Sequence, residues 1–111
     1  LGSINLSKFV EPVELDDWED RIDWKRLEYV TRLGVRFLDN VIDANEYATQ
    51  SIEFMTKATR KIGLGVMGFA DLLVKLRVGY DTELGLTMSL KIWLVCEDHF
   101  LLGKEVITTI R

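Results

Sequence analysis

The segment RKIGLGVMGFADLLVKL, residues 60–76, decides the fold, because it joins a glycine-rich apolar run to a short amphipathic stretch. Residues 62–67 (IGLGVM) predict a brief strand or a tight passage of backbone. A helix follows over residues 68–77 and begins at Gly68. Its apolar face consists of Phe69, Leu72, Leu73 and Leu76. The segment therefore predicts an extended run that leads directly into a helix.

The glycines from Gly63 to Gly68 match the G-x-G-x-x-G pattern of dinucleotide-binding loops. Such a loop needs a buried strand before its first glycine and an acidic residue about 20 positions further on. The residues before Gly63 are instead amphipathic and helix-like, and the later position falls in residues 86–88 (LTM). We therefore favour close backbone packing over nucleotide binding for these glycines.

Two helices are predicted upstream of this segment. The first covers residues 24–43 with Asp23 as its N-terminal cap, and the second covers residues 51–60 and starts at Thr49 or Ser51. Apolar residues recur along the first at helical spacing: Leu27, Val30, Gly34, Phe37, Leu38 and Val41. Basic residues close the second, where they suit the negative end of a helix dipole: Lys57, Arg60 and Lys61.

A fourth helix is predicted downstream over residues 83–107, capped by Asp81 or Thr82. Its apolar positions are Leu86, Leu90, Trp93, Leu94, Phe100 and Leu101. Residues 1–13 have the pattern of an extended segment, and residues 14–23 that of an exposed acidic connection without the ligand spacing of a calcium loop. The predicted fold class is mostly α, with about four helices and one or two short strands.

Candidate chemistry is sparse along this chain. Cys96 and His99 are spaced like two ligands on one helix face, but zinc sites need three or four ligands, and the chain has one Cys and one His. An apolar stretch around Cys96 raises the pKa of its thiol and makes it a poor nucleophile. The carboxylates form no recognisable acid/base pair. We therefore assign no catalytic, cofactor-binding or metal-binding residue from these patterns.

The composition limits the classes of partner. The 111 residues carry 18 acidic and 14 basic side chains, a net charge of −4, and the basic ones are scattered. This distribution offers no footprint for nucleic acid or for an anionic membrane. The longest run of large apolar side chains, residues 92–96, is far shorter than the roughly 20 residues of a membrane span. A single cysteine and no signal-peptide pattern favour a cytoplasmic location, and Leu at position 1 favours a piece of a longer protein.

Three strings resemble one enzyme family: LGSINLSKFV at residues 1–10, DWKRLEYVTRLGVRFLDNVIDANEY at 23–47 and RKIGLGVMGFADLLVKL at 60–76. Their order and spacing resemble the large catalytic subunit of ribonucleotide reductase over residues 1 to about 84. The strings are most similar to the adenosylcobalamin-dependent class, and the diiron-dependent class is the alternative.

The resemblance implies that residues 1–111 are a single partial domain, an internal segment of a ten-stranded α/β barrel. That family reduces the 2′-hydroxyl of ribonucleotides with a radical cysteine, a flanking Asn and Glu, and a redox cysteine pair. None of these residues falls on this chain. Ser3 and Asn5 would lie near the active site by position only.

The resemblance also implies the cofactor and partners of a parent enzyme. Adenosylcobalamin is the implied cofactor, with a diiron radical subunit as the alternative, and this segment is expected to bind neither. The implied partners are a ribonucleotide and a thioredoxin-like dithiol reductant, with a homodimer as the expected assembly. A segment cut from a barrel should expose apolar faces. The competing hypothesis is a free-standing α-helical interaction module without catalysis, which needs a self-contained core.

Overall fold

The computed structural model describes residues 1–12 and 17–97. These residues form one two-stranded sheet, one 3₁₀ helix and four α-helices. In chain order the elements are β1 (Gly2–Asn5), the 3₁₀ helix (Leu6–Phe9), α1 (Trp24–Ala44), α2 (Gln50–Thr59), β2 (Leu64–Met67), α3 (Phe69–Leu76) and α4 (Glu83–Glu97). The mostly helical prediction is confirmed. The remainder of the predicted 83–107 helix lies outside the described residues, as do His99, Phe100 and Leu101.

The two strands are parallel, and α1 and α2 lie between them in the chain. Gly2 pairs with Leu64, and Asn5 pairs with Met67 at the other end of the ladder. Parallel strands need a long crossover, and a helical crossover is the repeating unit of α/β folds. The side chain of Leu64 packs against Gly34 of α1, where an added Cβ would stand 3.4 Å from it. This face of the sheet is therefore covered by α1.

Side-chain caps define the starts of three helices. The carboxylate of Asp23 accepts the backbone N–H three residues on at 3.0 Å. The hydroxyl of Thr49 accepts the corresponding backbone N–H of α2 at 3.3 Å, and the hydroxyl of Thr82 that of α4 at 3.2 Å. Each bond satisfies one of the backbone donors that a helix start leaves unpaired. Of the predicted alternatives, the structure selects Thr49 over Ser51 and Thr82 over Asp81.

The core joins the strands to three of the four described α-helices. Its least exposed side chains are Leu6, Leu27, Leu72 and Met88, each at 1% or below. Thr31 is also fully buried, and its hydroxyl donates to the Leu27 carbonyl at 2.8 Å. No residue of α2 is buried. None of the described helices combines the length and apolar character that a bilayer crossing needs.

The predicted apolar face of α4 is wrong. Leu90, Trp93 and Leu94 are exposed, whereas α4 buries Met88, Ile92 and Cys96. Gly85 permits this orientation, because a Cβ at that position would stand 2.8 Å from the Gly79 carbonyl oxygen in the preceding turn. The inward face carries Gly85, Met88, Ile92 and Cys96. Residues 92–96 are apolar all round, so their pattern does not distinguish the two faces.

The predicted face of α1 is correct in part. Leu27 and Leu38 are buried as expected, but Phe37 is 65% exposed and Val41 is exposed as well. The polar Thr31 takes an inner position instead. Its hydroxyl can enter the core because the helix backbone supplies an acceptor.

Candidate functional site

The carboxyl ends of β1 and β2 form the candidate site. Asn5 and Met67 lie opposite each other there, and each strand continues directly into a helical segment. In open and closed α/β sheets, ligands bind outside the carboxyl ends of parallel strands. The edge defined by Asn5 and Met67 is therefore the candidate site in the described part of this fold.

Asn5 is held in a defined position at this edge. Its Oδ1 accepts the Ser7 backbone N–H at 3.2 Å and the Ser7 hydroxyl at 2.8 Å. Gly68 passes beside it with φ of 71°, and a Cβ on Gly68 would collide with Asn5 Oδ1. Close backbone passage, predicted for the glycine string, is confirmed at Gly68. Within the described residues Asn5 Nδ2 makes no hydrogen bond, so this amide can donate toward the strand ends.

Ser3 lies on the same sheet face as Asn5 because strand side chains alternate. It is exposed and stands opposite Gly65, while the intervening Ile4 is buried. The two predicted positions thus share one face, opposite the face that α1 covers. Their proximity to an active site stays a prediction.

An open cleft of about 650 Å³ runs along β1 and α1 and includes both Ser3 and Asn5. Its walls are mostly apolar, with Leu33 and Phe37 contributed by α1, and Lys8 supplies one of its charges. Among the described residues that line the cleft there is no His, Cys, Asp or Glu, so they supply no imidazole, thiolate or carboxylate for catalysis or metal ligation. The cleft is therefore an open and mostly apolar groove.

Cys96 is a buried residue of α4. Burial raises the pKa of its thiol, and a hydrogen bond with Thr31 opposes that shift in part. The burial of Cys96 and the raised pKa of its thiol agree with the apolar stretch that surrounds it in the sequence. His99, its suggested partner, lies outside the described residues, and within 1–12 and 17–97 no three His, Cys, Asp or Glu side chains cluster as metal ligands would.

Arg60 has a role that the sequence pattern did not reveal. Its guanidinium donates to Asp43 at 2.9 and 3.0 Å and to Asp39 at 3.1 Å. These carboxylates, Asp43 foremost, raise the pKa of Arg60 further above its ordinary value. Arg60 also takes the left-handed conformation, φ 45°, that ends α2. The spacing of Asp39 and Asp43, one helical turn apart on α1, was the available signal.

The barrel domain of ribonucleotide reductase is the family that matches this chain, over residues 1–98. The chain is 45% identical over 99 residues to a protein of Thermoplasma acidophilum named vitamin B12-dependent ribonucleoside-diphosphate reductase, covering 89% of this chain and 12% of that protein. A Mycobacterium tuberculosis protein of the same name is 48% identical over 83 residues, covering 75% and 11%. A ribonucleoside-diphosphate reductase subunit alpha of Chlamydia muridarum is 41% identical over 83 residues, covering 75% and 7%.

This chain thus spans about an eighth or less of the length of the curated relatives it matches. The matched stretch begins at β1 and includes both strands, all the described helices and the Asn5–Gly68 contact. Because the match covers most of the chain, this protein belongs to the ribonucleotide reductase barrel-domain family.

Proposed function

We propose that this chain is part of the catalytic subunit of a ribonucleotide reductase, with residues 1–111 forming one internal segment of its barrel. The parent enzyme would reduce ribonucleotides to deoxyribonucleotides for DNA synthesis by thiyl-radical chemistry. This proposal rests mainly on the parallel β1–β2 pair with its helical crossover, which lies within the stretch that the family model matches. The names of the relatives support this activity.

In this proposal the segment has a structural part in catalysis. The chain has one cysteine, Cys96, and it is buried, so the chain cannot supply both a radical cysteine and a redox pair. It would contribute two neighbouring barrel strands whose carboxyl ends place Asn5 at the substrate side. Because Gly68 has no side chain, it would leave room for the Asn5 amide. Isolated, the segment is expected to be inactive.

Exposed apolar side chains favour a barrel segment over a free-standing interaction module. Leu33 and Phe37 line the open cleft beside β1, and Leu90 and Leu94 are exposed on α4. A self-contained module of this size would bury such residues or keep them few. A barrel segment has these faces because its neighbours belong to the rest of the parent.

Adenosylcobalamin is the proposed cofactor of the parent, since two of the most similar relatives are named vitamin B12-dependent; a diiron radical subunit is the alternative. Two observations on the described residues support a cofactor site outside this segment. The cleft along β1 offers no metal ligand. The cavity beneath α4, about 190 Å³, is smaller than the roughly 300 Å³ at which drug-sized pockets begin. Cobalamin would therefore bind elsewhere on the parent.

The remaining proposed features concern the parent as a whole. Its substrate would be a ribonucleoside diphosphate, as in the names of the relatives, and its electrons would come from a thioredoxin-like dithiol. We propose a cytoplasmic homodimer that binds neither nucleic acid nor membrane.

A chimera tests the proposal. Residues 1–98 of this chain replace the matching segment of the Thermoplasma acidophilum relative, and ribonucleoside-diphosphate reduction is measured with and without adenosylcobalamin. We expect cofactor-dependent reduction. The matched chimera with Gly68→Val should lose it, because the added side chain displaces Asn5. An inactive chimera whose circular dichroism and melting match the relative would refute the proposal.

A second test separates the barrel segment from the interaction module. Both hypotheses predict no turnover when the isolated chain is incubated with adenosylcobalamin, a dithiol and a ribonucleoside diphosphate, so the sequence upstream is what separates them. The DNA upstream of Leu1, translated in frame, should read Cys-Asn immediately before it, with an Asn-x-Cys-x-Glu block further up. An in-frame stop codon there would contradict the barrel-segment proposal.

A further inference from the structure

Two tryptophans hold the ammonium group of Lys91 between them. Trp18 and Trp24 meet edge to face, with ring centroids 6.4 Å apart and ring planes at 70°. Lys91 Nζ lies 4.8 Å from the Trp24 centroid and 5.7 Å from the Trp18 centroid. Both distances fall within the roughly 6 Å over which an aromatic face attracts a cation. The cation is therefore shared by two indole rings.

Glu19 completes this site with a negative charge. Its Oε2 lies 2.7 Å from Lys91 Nζ. Its backbone carbonyl accepts the indole N–H of Trp24 at 2.9 Å, so the same residue orients one of the rings. Two aromatic faces and one carboxylate are the groups that recognise alkylammonium ions in aromatic cages.

The residues of the site other than Lys91 are close together in the chain. Trp18 and Glu19 lie in a turn in which the Glu19 backbone N–H donates to Asp17 Oδ1 at 3.1 Å and the Trp18 carbonyl accepts from Arg21 at 3.2 Å. Trp24 is the first residue of α1. All three site residues thus belong to the start of α1 and the turn before it, whereas Lys91 comes from a distant helix.

We propose that Trp18, Glu19 and Trp24 form a binding site for an organic ammonium ion, here named the ammonium box, and that Lys91 is its resident occupant. Lys91 then fastens α4 to the start of α1 through its charge. A tethered group acts at an effective concentration on the order of millimolar. A free alkylammonium compound therefore competes weakly with Lys91 and binds when the Lys91 ammonium is removed. This inference does not depend on the proposed enzyme activity.

A titration with tetramethylammonium chloride tests the ammonium box. Tryptophan fluorescence of the Lys91→Ala chain should change saturably as the ion fills the vacated site. The unmodified chain and Lys91→Arg should show a much weaker change, because each keeps a tethered cation. Sodium chloride at the same concentration should have no such effect. The double variant Lys91→Ala/Trp24→Leu should lose the response while retaining Trp93 as a common background.

Several outcomes would overturn the inference. One is the absence of a saturable response in a folded Lys91→Ala chain, and another is an equal response in the Trp24→Leu double variant. If Lys91→Ala unfolds, tetramethylammonium should restore its far-ultraviolet circular dichroism, since a ligand of the folded state stabilises it. Failure to restore the fold would count equally against the ammonium box.

Nuclear magnetic resonance tests the occupancy in the unmodified chain. The ε-methylene protons of Lys91 should resonate upfield of those of the exposed Lys25, because the adjoining Nζ lies over two indole rings. Equal shifts for the two lysines would show that Lys91 does not occupy the box.

Discussion

Helices α2 and α3 flank β2 and are both short and partly apolar, yet different forces hold them to the molecule. α3 places Leu72, Leu73 and Leu76 in the core. α2 buries nothing, and its Phe54 is 71% exposed. What attaches α2 is the cap residue Arg60, whose guanidinium binds two aspartates of α1. One helix is therefore held by packing and the other by charge.

The difference shows that an apolar pattern does not decide by itself whether a helix is buried. α2 carries Ile52, Phe54 and Met55, and all three are exposed because no described element packs on that side. α3 has a partner, since the 3₁₀ helix after β1 lies against it and Lys75 Nζ donates to the Ser7 carbonyl at 2.7 Å. Neighbouring elements supply the energy of burial.

We expect the largest loss of stability from a substitution in α3, the helix that is held by packing. Leu72→Ala in α3 should lower the free energy of unfolding by about 2–5 kcal/mol, because it leaves a cavity in the core. The matched change in α2, Phe54→Ala, should cost within about 0.5 kcal/mol because its side chain is exposed. Urea unfolding of both variants measures the two values. Similar losses would refute the contrast between α2 and α3.

We expect the second-largest loss of stability from a substitution of Gly68 at the start of α3. Gly68→Ala should cost about 1–2 kcal/mol from the left-handed backbone alone, and more because its Cβ displaces Asn5. Gly2→Ala is the control, since its Cβ would meet Leu64 at an ordinary 3.6 Å. Thermal unfolding compares the two. Adding Asn5→Ala to Gly68→Ala should restore the stability lost to the collision but not the stability lost to backbone strain. If the double variant is no more stable than Gly68→Ala, the proposed contact is excluded.

A smaller effect should detach α2 alone. Arg60→Met removes the bonds to Asp39 and Asp43, so backbone amides of α2 should exchange with solvent faster while those of α3 keep their protection. Lys57→Met is the control, since Lys57 pairs within α2 with Glu53. Sodium chloride should reduce the difference between the unmodified chain and Arg60→Met. Equal acceleration in α3 would mean that Arg60 stabilises the whole fold.

The smallest expected effect is on the pH dependence of stability, and it tests the burial of Cys96 in the core. Burial raises the pKa of the Cys96 thiol above its ordinary 9.0, so folding favours the protonated thiol. Its contribution to stability is complete below about pH 9 and is lost as pH rises through the raised value. The unmodified chain should therefore lose more stability between pH 8 and pH 11 than Cys96→Ala does. Identical pH profiles would indicate that the thiol is accessible to solvent.

Features set by neighbours in the chain were predictable. The caps Asp23 and Thr49, the glycine start of α3 and the strand within residues 62–67 follow from local chemistry. The rotation of α4 and the role of Arg60 were not predictable in this way. Gly85 meets a carbonyl of the preceding turn, and Arg60 meets carboxylates about 20 positions upstream. The spacing of Asp39 and Asp43 places both carboxylates on one helix face but does not indicate which cation they bind.

The sequence by itself determined the elements, their order and the family, because caps, glycines and apolar spacing act over a few residues and the three quoted strings span most of the chain. It also identified Asn5 as a position of interest, without its contacts. Only the tertiary structure decided which faces of α1 and α4 turn inward, that charge holds α2, and that two tryptophans enclose Lys91. The contacts of Arg60 and Lys91 depend on residues far apart in the chain, and the inward faces of α1 and α4 depend on what packs against each helix, so packing settles all of these features.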